Sequence, residues 1–172
     1  RDPRVLCGLA QGASRRGREE DAIQFLDRAL VADGFHWEAY RQRGDLRFAR
    51  REYDLAYGDY LSVANHFSPQ DAVAHLDCAR ALYGKHLMET ALSKPLMPVV
   101  QRIQKHLNKA LRLDPDSAHA YFVRGNTFLL YHRNHVGGPV RALEDSVSDF
   151  TQSIELDPRH VHGWINRGVA RV

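Results

Sequence analysis

Ten histidines and two cysteines are the residues of this chain best suited to metal binding or nucleophilic chemistry. His132 and His135 are three residues apart, and His160 and His162 are two apart, but no cysteine or carboxylate stands at a companion spacing typical of a metal site. Cys7 has no neighbouring base, so packing is its expected role. Nucleotide-binding, hydrolase and metalloprotease motifs are absent from the sequence. We therefore expect no catalytic residue, no cofactor and no metal.

Arginine is the second chemical feature, because it outnumbers lysine about five to one in a chain of formal charge +3. Guanidinium groups favour ordered, bidentate contacts with carboxylates and phosphates. Arg43, Arg47 and Arg50 recur at helical spacing and could form one basic stripe. The stripe has two interpretations: it attracts an acidic partner, or it pairs within the chain, where the candidate acids are Glu38, Asp45, Glu52 and Asp54.

The composition is that of an ordinary folded protein: 172 residues, 44% hydrophobic and 26% charged. No apolar run approaches the roughly 20 residues that span a bilayer, and the first residues show no signal-peptide pattern. Two cysteines without a ligand-like spacing favour a reducing compartment. We expect an intracellular, cytoplasmic protein. Since the sequence begins at Arg1 without methionine, we also expect it to be a fragment of a longer one.

A repeated pattern predicts how the chain is organised. Segments beginning at Ala29, Ala110 and Ser153 each run small, apolar, variable, apolar or small, Asp, then a helix breaker. Each is followed by a bulky residue with a glycine four positions later, and these pairs are Tyr40 with Gly44, Tyr121 with Gly125, and Trp164 with Gly168. Between them, helical stripes of small, bulky and small residues recur: Ala22, Leu26, Ala29; Ala56, Tyr60, Val63; Ile103, Leu107, Ala110; and Phe150 with Ser153, whose first member is Ser146 or a neighbour.

This pattern resembles the tetratricopeptide repeat, a unit of about 34 residues that forms two antiparallel helices, A and B. In that family a small residue on helix A lets helix B approach closely. The resemblance implies an all-α fold, a right-handed superhelical solenoid of antiparallel helix pairs. It covers the whole chain as one domain, residues 1–172, with repeats at about 3–36, 37–70, 71–116 and 117–159 and helix A of a fifth at 160–172.

The third and fourth repeats are longer than the family norm. Residues 84–98 extend the third repeat, and residues 133–138 form a glycine-rich turn in the fourth. Long connections between helices A and B emerge on one edge of a solenoid, so both extensions are candidate contact points. An alternative function follows, in which the chain is a structural subunit of a large assembly and contacts its partners through its convex face and these insertions. The contact residues of the first insertion would be Met88, Leu92, Leu96, Met97 and Val100.

Tetratricopeptide repeats usually bind their partners on the concave surface lined by helices A. The resemblance therefore implies a noncatalytic scaffold or adaptor that binds a peptide segment or a partner helix in this groove, with an acidic stretch of the partner facing the basic region near Arg41. The inward-facing helix A residues are Arg41, Gln42, Asp45, His119, Phe122, Val123, Asn126, Leu130, Ile165, Asn166 and Val169.

Two narrower functions fit the residues less well. Asn126 and Asn166 match the asparagines with which chaperone-adaptor repeats bind a C-terminal carboxylate, but Phe122 stands where such a clamp has lysine. RNA-binding repeats need stacking residues interleaved with basic residues, repeated unit after unit, but the basic Arg41 is replaced by Phe122 and Ile165 in the later repeats. Nucleic acid is therefore not the expected partner. The apolar surface of the fifth helix A favours continuation of the chain beyond residue 172.

Overall fold

The computed structural model describes residues 2–88, 96–134 and 140–171, and within these ranges it contains helices and no strand. Predictions that concern residues 89–95, including Leu92, and most of the turn at 133–138 lie outside the described residues. The helices are α1 (Pro3–Ser14), α2 (Glu19–Ala32), α3 (Trp37–Ala49), α4 (Tyr53–Ser62), which continues into a π-helical turn (Val63–Phe67), α5 (Ala72–Met88), α6 (Leu96–Leu113), α7 (Ala118–Asn134), α8 (Val140–Leu156) and α9 (Val161–Ala170). The all-α prediction is confirmed.

Contacts divide the chain into two compact units, residues 1–70 and 71–172. In the first unit α1 packs on α2 and α3 packs on α4; in the second, α5 packs on α6 and α7 packs on α8, with α9 against α8 and α7. Each of the first four predicted repeats thus contains one of these helix pairs, and the division between the units falls at the predicted boundary between repeats two and three. The single domain over 1–172 stays a prediction.

Local sequence signals explain where several helices begin. The carboxylate of Asp2 accepts a hydrogen bond from the Arg4 amide at 2.9 Å, ahead of Pro3, which suits a first helical turn. Asp71 caps the start of α5, and its carboxylate accepts a hydrogen bond from the Ala74 amide at 3.1 Å. Three acidic residues occupy the first turn of α2, where they complement the helix dipole.

The helix B stripes read from the sequence form the cores of both units. Leu26, Tyr60, Leu107 and Phe150 are all buried, as are the small residues spaced around them. The ambiguous first position of the fourth stripe is Ser146, which is fully buried and donates a hydrogen bond to the Gly125 carbonyl at 3.0 Å. The predicted apolar periodicity therefore places each helix B correctly.

Two glycines of the helix A pattern allow close helix packing. A Cβ atom added at Gly44 would lie 2.7 Å from a ring carbon of Tyr60, and one added at Gly125 would lie 2.8 Å from a ring carbon of Phe150. Ordinary carbon contacts are about 3.5–4.0 Å. The aromatic ring of helix B therefore occupies the space that a side chain on helix A would need, as the sequence predicted.

The first insertion is partly helical, since α5 extends to Met88 and α6 begins at Leu96. Met88 and Met97 are exposed, but Val100 is only 2% exposed. Val100 packs in the core of its unit, so its prediction as a surface contact was wrong. The hydrophobic stripe of α6 continues through Val100, which explains why the valine faces inward.

Candidate partner-binding site

Helices α5, α7 and α9 line a cavity of about 470 Å³ in the second unit. The three are the A helices of the third, fourth and fifth predicted repeats. The residues that line the cavity are Tyr83, Leu87, Asn126, Leu129, Leu130, Arg133, Asn166 and Val169. Four of these, Asn126, Leu130, Asn166 and Val169, were among the inward-facing positions predicted from the sequence. We call this space the A-helix cavity.

Two asparagines on neighbouring helices meet in the A-helix cavity. The Asn166 side-chain nitrogen donates a hydrogen bond to the Asn126 side-chain oxygen at 2.7 Å, a contact that joins α9 to α7. Each amide has further hydrogen-bonding capacity, because an amide side chain carries two N–H donors and two acceptor lone pairs. The hydrogen bond therefore fixes the orientation of both amides, and the Asn126 nitrogen and the Asn166 oxygen keep hydrogen-bonding capacity for a bound segment.

Arg133 is the one charged residue in the described lining of the A-helix cavity. Burial raises the pKa of the Tyr83 hydroxyl, and the Arg133 charge acts in the opposite direction. The net shift is upward, so the phenol remains neutral and can donate a hydrogen bond. The described lining thus combines a positive charge, an amide pair and leucine side chains, with no carboxylate.

Other predicted groove residues of α7 and α9 do not line this cavity. Val123 is 5% exposed and lies in the core. Phe122 packs against the core around Phe150 and contacts the His160 ring, with ring centroids 4.3 Å apart. His119 is exposed beside the same rings, and Ile165 is exposed on α9. Phe122 and Val123 pack on and in the core, because an A helix faces its own helix B as well as the concave surface.

The sequence analysis did not predict four of the residues that line the A-helix cavity: Tyr83, Leu87, Leu129 and Arg133. Tyr83 and Leu87 lie four and eight residues after Ala79, a fully buried small residue of α5. Leu129 and Arg133 lie four and eight residues after Gly125. Both pairs therefore lie one and two helical turns beyond a small buried residue of an A helix, and extending the predicted inward positions by two turns along each A helix includes them.

In the first unit, α1 and α3 form a smaller cavity of about 230 Å³. Gln42 and Asp45 line it together with residues of α1, and Asp45 accepts a hydrogen bond from the Tyr60 hydroxyl at 2.9 Å. Arg41 lies elsewhere, with its guanidinium 5.5 Å from the centre of the Trp37 ring. Two of the three predicted positions in the second repeat are therefore brought together.

The predicted basic stripe of α3 is paired within the chain. Arg43 donates to Asp59 and to Asp27, with shortest distances of 2.7 and 2.6 Å, and Arg47 donates to the other Asp59 oxygen at 2.8 Å. Burial alone would lower the pKa of Arg43, but the hydrogen bonds and charges of both aspartates outweigh it and raise that pKa. The internal-pairing interpretation is confirmed.

The acids in this network differ from those the sequence suggested. Arg50 does pair with Glu52, at 2.8 Å, as predicted, and also with Glu20 of α2, at 2.7 Å. The principal carboxylate, Asp59, lies on the facing helix α4 and has a side chain only 4% exposed. Tertiary packing, which brings α4 and α2 against α3, supplies acids that the local charge pattern could not reveal.

Neither cysteine is arranged as a nucleophile. Both thiols are buried, and burial raises the pKa of Cys7 and of Cys78. A thiol with a raised pKa stays protonated and unreactive near neutral pH.

In the part of the chain that the structure describes, no three histidine, cysteine or acidic side chains come together as a metal site. None of the helices described is both long and apolar enough to cross a bilayer.

Comparison with solved structures identifies the fold. MamA from Desulfovibrio magneticus RS-1 superimposes with a TM-score of 0.72 at 19% sequence identity, over 92% of this chain and 77% of that one. YrrB, described as a tetratricopeptide repeat protein with an unusual peptide-binding site, gives 0.68 at 20%, over 96% and 74%. The first such domain of Spaghetti (RPAP3), solved with the HSP90 peptide SRMEEVD, gives 0.61 at 17%, over 78% and 90%.

These likenesses define the class of this chain: it has the tetratricopeptide type of helical-repeat fold. No family model and no curated protein matches the sequence itself. The fold assignment therefore rests on the helix pairs and on the similarity to solved structures, as the repeated pattern predicted.

Proposed function

We propose that this chain is a noncatalytic protein-interaction scaffold that binds a segment of a partner protein in the A-helix cavity. The observation that carries the proposal is that Asn126, Leu130, Asn166 and Val169, from two different helices, line one cavity. A concave apolar surface with a few convergent polar groups is typical of binding sites. The two cysteines are buried, and Arg43 and Arg47 are paired within the chain, which favours a structural role for these four residues.

The lining favours a partner segment that combines apolar side chains with a carboxylate. Leu87, Leu129 and Leu130 offer apolar contact, and Arg133 offers charge complementarity to an acidic residue. The asparagine pair offers a donor and an acceptor to the backbone of the bound segment. The bound peptide of the RPAP3 domain is itself acidic, which supports this chemistry for the fold.

The carboxylate-clamp arrangement is a less suitable description of the site. Its two asparagines would have to act separately, whereas Asn126 and Asn166 hydrogen-bond to each other. Phe122, at the position expected for lysine, packs against His160. We therefore propose recognition of an internal apolar and acidic segment, with Arg133 as its charged contact.

Two single substitutions test this proposal by changing the cavity without disturbing the core. Leu87→Arg places a charge on an apolar wall, and Arg133→Glu reverses the charge opposite the partner's carboxylate. Matched controls are Leu55→Arg and Arg112→Glu, which make the same changes at exposed positions on α4 and α6. Phe122→Ala is unsuitable because it would remove a side chain that packs on the core.

The assay is quantitative affinity purification from cells, with captured proteins identified by mass spectrometry and each variant checked for helicity. We expect the same small set of partners to be lost from both cavity variants and kept by both controls. Partners lost from Arg133→Glu should carry acidic segments that bind the purified chain as peptides. Equal partner sets in all four variants would refute binding in the A-helix cavity.

A further inference from the structure

Helix α6 differs in charge from the other B helices of this chain. Over Leu96–Leu113 it carries four lysine or arginine residues and no acidic residue. By contrast, α2 and α8 each carry four acidic residues and one arginine, and α4 carries two acidic residues and no lysine or arginine. Since the formal net charge of the whole chain is +3, the four cations of α6 account for its positive sign.

The cationic side chains of α6 lie on one face of the helix. The opposite face is buried in the core through Val100, Ile103 and Leu107. The cations stand about one helical turn apart, so the row that they form is about 15 Å long at the usual helical rise. Three are exposed and Lys109 is partly exposed. We call this row the α6 basic face, and its members are Arg102, Lys105, Lys109 and Arg112.

The charges of the α6 basic face are not neutralised in the way that those of α3 are. Among the residues that the structure describes, no carboxylate forms an ion pair with Lys105, Lys109 or Arg112. Like charges one turn apart on a helix are destabilising. Arg112 lies in the last turn, where a cation complements the helix dipole, but Lys105 is in the middle of the helix and has no such role. The row therefore contributes little to folding.

The positive potential of this face also acts on a neighbouring side chain. The pKa of His106 is lowered to about 4, first by burial and then by the charges of His75, Lys105 and Arg102. A potential that disfavours one more positive charge favours a negative charge placed at the same surface.

We propose that the α6 basic face is a docking surface for an acidic helix of a partner protein. The partner helix presents carboxylates at positions i, i+3, i+7 and i+10, which places them on one face with the same intervals as the four cations. Charge complementarity specifies this occupant. The inference does not depend on the proposed function, because no residue of α6 lines the A-helix cavity.

Two observations favour a single acidic helix over a nucleic acid or a membrane. First, α6 contains no phenylalanine, tyrosine or tryptophan on which the bases of a single strand could stack. Second, a membrane or a long nucleic acid spreads over several helices, and α8, the B helix of the following repeat, exposes Glu144 and Glu155. These carboxylates repel a broad polyanion, whereas a helix bound along α6 alone meets only cations.

The test uses two labelled synthetic peptides of identical composition, built from alanine, glutamine and four glutamates. In the one-face peptide the glutamates stand at i, i+3, i+7 and i+10, and in the scattered peptide they are distributed around the helix. Binding to the 172-residue chain is measured by fluorescence anisotropy at low ionic strength. We expect the one-face peptide to bind about tenfold more tightly, because all its carboxylates reach cations at once.

Charge reversal on the protein provides the second arm of the experiment. Lys105→Glu and Arg112→Glu should each weaken binding of the one-face peptide by about threefold to tenfold, because an attractive pair becomes a repulsive one. The matched control is Arg16→Glu, which makes the same change in net charge at an exposed position outside α6. Four further peptides each have one glutamate replaced by lysine. One of them should bind Lys105→Glu more tightly than the one-face peptide does, and a folding defect would not be rescued in this way.

Two kinds of result would overturn the proposal. Equal affinity of the two peptides, or equal weakening by Arg16→Glu and Arg112→Glu, would mean that net charge alone attracts the peptide. Tighter binding of a uridine oligomer or of phosphatidylserine vesicles, lost in Arg112→Glu, would make a nucleic acid or a membrane the occupant.

The two proposed surfaces are tested separately. Arg133→Glu, in the A-helix cavity, should weaken peptide binding no more than Arg16→Glu does. Partners held by the A-helix cavity should in turn be kept by Arg112→Glu. Failure of one proposal therefore leaves a result that is distinct from failure of the other.

Discussion

Gly125→Ala should leave the chain less stable than Gly168→Ala, although the two glycines hold the same position in their helices. A Cβ at Gly125 would lie 2.8, 2.9 and 3.2 Å from three ring carbons of Phe150, whereas a Cβ at Gly168 meets nothing within 4 Å. The first substitution forces a fully buried ring to move. The second adds a methyl group to open space.

The magnitudes follow from two terms. Replacing glycine by alanine inside a helix stabilises it by up to about 1 kcal/mol, and this term is shared by both variants. Overpacking at Gly125 adds a cost of about 1–3 kcal/mol, because contacts near 3 Å must relax toward about 3.5–4.0 Å in a close-packed core. We therefore expect Gly168→Ala to be neutral or stabilising and Gly125→Ala to be less stable than it by about 2 kcal/mol.

Thermal and urea denaturation followed by circular dichroism measure this difference. About 2 kcal/mol corresponds to a separation of roughly 4–8 °C in Tm for a chain of this size. A double variant with Phe150→Leu should recover part of the loss at Gly125, since the smaller side chain leaves room for the methyl group. Equal stability of Gly125→Ala and Gly168→Ala would refute the close approach of the Phe150 ring to Gly125.

Three further predictions concern buried polar and titratable groups. Asp59→Asn should destabilise the chain by about 3 kcal/mol in urea denaturation, because it leaves Arg43 and Arg47 without their shared carboxylate. The control Asp21→Asn, at an exposed ion pair, should change stability by less than about 0.5 kcal/mol. Equal losses of stability in the two variants would contradict the proposed importance of the Asp59 network. Burial, together with the charge of His75, lowers the pKa of His106 to about 4, so the unfolded chain binds the proton more readily between about pH 6.5 and 4. Stability should therefore fall as the pH falls through that window, by at most about 1.4 kcal/mol per pH unit, and His106→Gln should flatten the slope. Neither Cys7 nor Cys78 should react with a thiol reagent in the native chain at pH 8, whereas both should react in urea; rapid native labelling would show that these thiols are accessible.

The fold could be predicted from the sequence because its signals are local and repeated. The spacing of Tyr40 to Gly44 and of Ala56, Tyr60 and Val63 reflects a helix pair in which the ring of one residue covers the glycine of another. Such contacts recur at fixed separation, so several weak patterns in register identify the architecture. The seven residues between α5 and α6 carry no comparable periodicity, and there the sequence gives little structural information.

The candidate site could be predicted only in part, since an A helix presents two faces to different neighbours. Asn126 and Val123 are three residues apart on α7, but one lines the A-helix cavity and the other packs in the core. Inward positions were assigned from family register alone, which does not distinguish these faces at single-residue resolution. The acids of the arginine network were missed for a related reason: Asp59 and Asp27 approach Arg43 through helix packing, at a separation of sixteen residues on either side.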